Sequence, residues 1–272
     1  MLKTDKQGNK VTVRDLQMVL LGMLKDIDAL CRKHNIPYFL NGGSALGAVR
    51  HQGFIPWDDD ADISMMASDY FRFLQVASEL GEDYVVHAYE IDKRYNVLIP
   101  AAKIRKKNTY IQEVNTLLRN RIPDCDGVFV DVFVYDYVSE NRIRDFIPRV
   151  LNQALMPLII GFENIGINPI WLKDNFTKRA FRYGKKNRNS KKIGFSLTWT
   201  FKTPFHPFIF DCDDIYPVQY VPFEDTMLPI AANPHNYLCT AIAPSYMTLP
   251  PENKRFGKHT VDISLKSGTP EE

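Results

Sequence analysis

Leu16, Leu20, Met23, Leu24, Ile27, Leu30 and Cys31 recur at intervals of three and four, which predicts an amphipathic helix burying one apolar stripe. Thr12 followed by Asp15 supplies a capping-box-like start, and residues 1–11 before it read as a loose tail. Pro37 ends the helical region, and Tyr38, Phe39 and Leu40 read as a short buried strand. Gly42-Gly43-Ser44 then turns the chain into a second helix, expected over 45–51, with a second strand over 58–66. Ser68 is placed to cap the next helix, and Gly81 to stop it. Strand-like runs follow at 84–89 and 101–112, the second carrying Lys103, Arg105, Lys106 and Lys107. In 127–138, GVFVDVFVYDYV, the four valines share one face, and Phe129, Asp131, Phe133 and Tyr135 share the other.

Beyond residue 138 the pattern changes. Thirteen of the 17 prolines lie there, so short helices joined by long loops are expected. The expected division is a catalytic core at 1–138 and a helical, loop-rich region at 139–272, packed on the core and binding the acceptor. Residues 146–172 are amphipathic and apolar-rich, and 173–192 hold nine lysines and arginines against one acid, Asp174. That basic run reads either as a solvated helical face or as a patch for an anionic membrane surface or polymer. Residues 268–272 are expected to be disordered. The fold class is therefore α/β (α+β): a small mixed sheet, flanking helices, and a loop-rich second half.

Composition narrows this little. With 45% hydrophobic and 24% charged residues the chain reads as an ordinary soluble globular protein, and a net charge of +2 gives no global reason to expect nucleic acid binding. The four cysteines lack paired spacing for zinc or a redox motif and read as reduced thiols of a cytosolic protein. The first ten residues lack a signal-peptide apolar region, and the longest uncharged apolar stretch is too short to span a bilayer.

The candidate chemistry sits at 41–66, NGGSALGAVRHQGFIPWDDDADISMM. Alternation along a strand points Asp60 and Asp62 the same way, with Asp58 one pair further out and Asp59 turned away. Two carboxylates about 4 Å apart repel by roughly 4 kcal/mol at an effective dielectric of ~20. Such a cluster needs a cation or full hydration. A calcium-loop reading fails, because the sixth position would be Ile63 and the twelfth Asp69. No Gly-Lys-Ser/Thr triplet follows the glycines, and their spacing is not that of a dinucleotide fingerprint. Asp131, in the middle of an apolar strand, is costly to bury alone and wants a partner; Asp60 and Asp62 with a metal would supply one. A Gly-Ser turn at a helix start, an Asp-x-Asp pair and a later strand aspartate suit metal-assisted phosphoryl chemistry.

This arrangement resembles the nucleotidyltransferase superfamily. The longer string GGSALGAVRHQGFIPWDDDADISM closely resembles the signature of the LicD family, bacterial phosphorylcholine transferases related to the fukutin proteins. The basic strand at 103–109, VDVFVYD, and YMTLPPENKRFGKH at 246–259 extend the resemblance over nearly the whole chain; APSYM at 243–247 departs from it, where a glycine-containing turn is usual.

The resemblance implies Asp60, Asp62 and Asp131 as ligands of Mg2+ or Mn2+, with Asp58 as a further candidate. It implies Gly43 and Ser44 as the phosphate turn, and Asp131 as general base. Arg50 and Lys103 are candidates for diphosphate contacts, and His51 for packing against the site. Lys254, Arg255 and His259 are candidates to close over the donor. Trp57, Tyr135 and Tyr137 could face a choline headgroup, or could equally be core aromatics. The implied reaction moves phosphocholine, or a similar phospho-alcohol, from a CDP-linked donor such as CDP-choline to a hydroxyl of a cell-surface glycan, lipopolysaccharide or teichoic acid precursor, releasing CMP. Alternatives are nucleotidyl transfer from an NTP to a small molecule, and an inactive scaffold in surface-polymer assembly. A lipid-linked acceptor, peripheral membrane contact and a cytoplasmic location at the inner face of the cell membrane complete the expectation. No nucleic acid partner is expected.

Overall fold

A computed structural model describes residues 2–4, 10–97, 101–113, 125–197, 208–257 and 260–265. His259 and the tail at 268–272 lie outside them.

Residues 1–11 are not simply a tail: β1 (Leu2–Thr4) pairs antiparallel with β2 (Lys10–Thr12), Leu2 opposite Thr12. Strands of three residues leave too short an alternation to be read from sequence. Thr12 and Asp15 then form a reciprocal capping box that starts α1 (Val13–Lys33). All seven stripe residues are buried, each contributing on the order of 1.5–3 kcal/mol where burial is complete.

β3 (Phe39–Leu40) leads into α2 (Gly42–His51), which starts three residues earlier than expected. Gly42 enters the helix at φ +48°, a left-handed conformation that favours glycine. β4 (Asp62–Met66) is shorter than expected, because a turn at Pro56–Trp57 leads into residues 58–61, which approach the sheet without regular strand pairing. Within that approach Asp58 N–H donates to Ile55 O at 2.9 Å. α3 (Ala67–Val76) begins directly at the strand end with Met66 as its cap, so Ser68 lies inside the helix instead of capping it. β5 (Tyr84–Ala88), β6 (Ala102–Lys106), β7 (Tyr110–Glu113) and β8 (Phe129–Tyr137) follow.

The second half holds α4 (Arg142–Gln153), α5 (Met156–Asn164) and α6 (Ile170–Lys186), then β9 (Lys192–Phe195), β10 (Ile209–Asp211) and α7 (Cys212–Ile215). β11 (Gln219–Phe223), β12 (Thr226–Ile230), α8 (Pro234–Ala241) and β13 (Thr260–Ser264) complete it. It is thus not only helices and loops. β9 and β10 extend the sheet of the first half, so residue 138 marks no break in the sheet.

Among the described residues the main sheet has seven strands, mixed parallel and antiparallel, with β8 at its centre. One edge of β8 pairs parallel with β4; the other pairs antiparallel with β6 near its start and with β9 near its end. Val128, Val130, Val132 and Val134 are buried, as are Phe129, Phe133 and Tyr135, leaving Asp131 the half-buried exception between them. Both faces of β8 are covered, as its near-continuous apolar sequence requires. β13 pairs with β7 and brings the end of the described chain back to the first half.

Asp136 shows the cost of burying an acid whose carboxylate accepts only the Tyr137 N–H, at 2.8 Å, among the hydrogen bonds described. Its carboxyl lies against Gly184 of α6, where any Cβ would overlap it, and burial raises its pKa to about 6. The unfolded chain ionises this group near its ordinary value, so stability falls as pH rises from about 4 to 6 and the penalty persists above. Asp136→Asn is therefore expected to stabilise the fold above pH 6 by roughly 2–3 kcal/mol, with no gain below pH 4. Denaturant melts across that range check it.

Candidate active site

The site forms where β3, α2, β4 and β8 meet. Asn41 N–H donates to Asp62 O at 2.9 Å, and Asp62 N–H donates to the Ser44 hydroxyl at 2.9 Å. Two hydrogen bonds thus stitch the glycine turn to the first residue of β4. Ser44 is buried, and its hydroxyl positions Asp62 from beneath. A Cβ on Gly42 would stand in ordinary contact, 3.8 Å from Asp62 Oδ2, so this glycine answers to its positive φ, whereas one on Gly43 would crowd Asp58 Oδ2 at 2.8 Å. The carboxylates therefore overhang the start of α2, where helix N–H groups favour negative charge.

Asp131 is the direct cross-strand partner of Asp62 in the parallel β4–β8 register. On its other side it is the partner of Lys103 in the β6–β8 register, and Lys103 Nζ reaches Asp131 Oδ1 at 2.8 Å. Three neighbouring strands thus place Asp62, Asp131 and Lys103 in one row. Lys103 Nζ also lies 3.4 Å from the centre of the Phe129 ring, a further contact for its charge. Burial first, then Asp60, Asp131 and Asp58, push the Asp62 carboxyl well above the usual carboxylate range, and Lys103 opposes them. Four acids therefore act on one another here. Among the described residues no group of three or more His, Cys, Asp or Glu side chains is placed to hold a metal ion as the side chains stand.

Asp59 takes the opposite direction. It is buried, its Oδ2 accepts the Thr260 N–H at 2.9 Å, and a Cβ on Gly257 would come within 2.7 Å of its carboxylate. It anchors the C-terminal segment and leaves the other three acids to the site.

A rim of basic and aromatic side chains borders the acids. Arg50 donates to Tyr246 O at 2.7 Å, which ties α2 to the segment after α8; burial lowers its pKa while Asp58 raises it. Trp57 meets the edge of His51 at 6.2 Å and the guanidinium of Arg255 at 5.5 Å. Burial and then Arg50 lower the His51 pKa, favouring the neutral imidazole. Lys254 is exposed on a short 3-10 turn. Tyr135 is fully buried among Phe39, Phe195 and Phe210, so it is a core aromatic. Tyr137 is half-buried at the end of β8.

Three positioning residues were not singled out from sequence. Gln17, buried on α1, donates to Ile55 O and Asp58 O at 3.0 Å each and fixes the approach to the acids. Tyr237 on α8 donates to Asn41 Oδ1 at 2.6 Å and accepts from Gly42 N–H at 3.0 Å. A glutamine inside an apolar stripe and an asparagine before paired glycines are the signals available; nothing in the chain marks Tyr237. A cavity of about 350 Å3, lined by Phe71, Glu90, Lys93, Asp174 and Arg182 among others, opens between α3 and α6 and contains none of the four acids.

Gly43→Ala separates site from scaffold. Alanine is the better helix former by about 1 kcal/mol, and only a mobile carboxylate stands in its way. Unchanged or raised thermal stability is expected, with activity at least about tenfold lower because Asp58 is displaced. Parallel melting and turnover assays measure both.

Known proteins with similar sequences cover the same stretch of the chain. The profile described as LicD/FKTN/FKRP, nucleotidyltransferase domain, matches residues 35–146. The lipopolysaccharide cholinephosphotransferase LicD of Haemophilus influenzae is 27% identical, the alignment covering 92% of this chain and 97% of that protein. An uncharacterized protein of Rickettsia prowazekii is 35% identical over 44% of this chain and 47% of its own length. A second, from Rickettsia typhi, is 49% identical over 23% of this chain and 20% of its own. Residues 35–146, which hold all four candidate aspartates, the Gly-Ser turn and Lys103, are the part of the chain that matches the LicD-family domain.

Proposed function

We propose that this protein is a metal-dependent phosphotransferase that moves phosphocholine, or a closely similar phospho-alcohol, from a CDP-linked donor to a hydroxyl of a cell-surface glycan. The observation that carries this reading is the row Asp62–Asp131–Lys103 across three adjacent strands, with Asp58 and Asp60 beside it. The cholinephosphotransferase relative supports the transferred group and a lipopolysaccharide acceptor.

Asp60, Asp131 and Asp58 all act on the buried Asp62 carboxyl, and such repulsion among hard oxygens suits Mg2+ or Mn2+, whose shell substrate phosphates would complete. Asp60, Asp62 and Asp131 would hold the metal, with Asp58 as a fourth donor. Bound there, the metal would neutralise the charge on the donor diphosphate.

This chain's own residues do the rest. The start of α2 at Gly42–Ser44 faces the diphosphate with the backbone N–H groups of a helix N-terminus. Lys103 holds Asp131 in place through their 2.8 Å contact, and Asp131 takes the proton of the acceptor hydroxyl. The acceptor oxygen attacks the phosphorus that bears choline, the bond from that phosphorus to the bridging oxygen breaks, and CMP departs with the bridging oxygen. Arg50, His51, Trp57 and Arg255 border the donor, and Trp57 offers an aromatic face to a quaternary ammonium.

The experiment is product analysis. Purified protein with CDP-choline, lipooligosaccharide acceptor and Mg2+ is expected to release CMP and label the acceptor, and EDTA to stop both. Pyrophosphate released from an NTP instead would identify a nucleotidyltransferase. Neither product under any of these conditions would contradict the enzyme reading.

A further inference from the structure

Helix α4 is amphipathic in the reverse sense. Its inward face is polar: Asp145 and Arg149 form a buried 2.7 Å ion pair, and Tyr183 donates to Asp145 at 2.8 Å. Arg149 donates to Phe195 O, and the buried Asn152 to Leu197 O at 3.1 Å. Its outward face carries Ile143, Ile147 and Leu151, spaced four apart and therefore stacked in one line. The helix cannot roll to bury that line without stripping the internal ion pair and its hydrogen bonds. Leu158 on α5, Ile165 after it and Trp171 at the start of α6 add further exposed apolar side chains along the chain. All six of these side chains are at least 50% exposed. Single exposed apolar residues are ordinary on a protein surface; six of them along consecutive helices are not.

Charge selects the occupant. Residues 140–192 contain twelve lysines and arginines against four acids. Two of the twelve, Arg149 and Lys173, are buried in ion pairs with Asp145 and Glu163, which leaves ten bases against Glu140 and Asp174, the latter paired with Lys93. Beyond Trp171, α6 presents exposed Lys178, Arg182, Lys185 and Lys186. A second copy of this chain would bring the same positive excess against itself. An anionic lipid surface satisfies both features, taking isoleucine, leucine and tryptophan into the interface and pairing headgroups with the flanking lysines and arginines. No helix among the described residues is long and apolar enough to cross a membrane, so the contact would lie in the surface plane.

We infer that the outward face of α4, α5 and the start of α6 docks this protein on an anionic membrane surface. The inference stands apart from the transferase reading, because binding to lipid needs neither donor nor acceptor. It is tested by co-sedimentation of the full chain with vesicles of phosphatidylcholine, with and without phosphatidylglycerol. The native chain is expected to bind the anionic vesicles and to bind pure phosphatidylcholine at least about tenfold less. The Ile147→Ser, Leu151→Ser, Trp171→Ser variant is expected to lose at least about tenfold in binding to anionic vesicles with unchanged melting temperature, since the replaced side chains are exposed. Failure of the native chain to bind anionic vesicles would overturn the inference, as would equal binding by the variant. A concentration-dependent dimer that the variant abolishes, without vesicle binding by the native chain, would assign the face to a second copy.

Discussion

Replacing Asp62 by Asn is expected to lower phosphocholine transfer on the order of a thousandfold while making the metal-free protein more stable. The two effects have one cause. Asp62 sits where burial, Asp60, Asp131 and Asp58 all oppose its charge, and an amide of the same size removes that repulsion without leaving a hole. It also removes one hard oxygen donor and a charge that the reaction needs. If the relieved repulsion is worth about 1 kcal/mol, melting without metal rises by roughly 2–4 °C. Melting in EDTA beside turnover in Mg2+ measures both on one preparation. A purely structural role for Asp62 predicts the opposite sign of the stability change.

Lys103→Met should have the largest cost to the fold. Both partners of the 2.8 Å Lys103–Asp131 contact are mostly buried, with side-chain exposures of 9% and 16%. Removing one partner of such a pair costs about 3–5 kcal/mol, because the other charge stays behind. Here it would stay among three more acids. The loss should be larger in EDTA than in Mg2+, since a bound cation replaces part of the missing charge. Adding Asp131→Leu should restore much of the stability, because an apolar pair of similar volume fits the centre of β8, yet activity should remain absent. Urea melts of the single and double variants, with and without Mg2+, decide it. Full activity in the double variant would remove Asp131 from the chemistry.

The sequence made the frame of the site readable for physical reasons. The α1 stripe and the alternation of 127–138 are long periodic signals, and each became the expected element. The Gly-Ser turn was visible because Gly42 needs a positive φ that few other residues adopt. That Asp131 needed a partner followed from its place in an apolar strand; which partners it has did not. The pairing of β8 with β4 on one edge and β6 on the other is a tertiary fact, and it gives Asp131 both Asp62 and Lys103. Lys103, expected at the diphosphate, meets Asp131 directly. The stretch 58–61 alternates like a strand, but Gln17 of α1 clamps the turn before it through Ile55 O and Asp58 O, and regular pairing begins only at Asp62. Short strands at the start of the chain and in the second half were missed because three to five residues among prolines and lysines carry little periodicity.

The central claim is that the converging acids bind a divalent cation together with the CDP-linked donor. Calorimetric titration of Mn2+ into the full chain with CDP-choline present and acceptor absent tests it most directly. The account predicts saturable binding that disappears in Asp62→Asn and weakens in Asp58→Asn, with Asp59→Asn retaining it. Absence of Mn2+ binding in the native chain, or binding unchanged by Asp62→Asn, would contradict it.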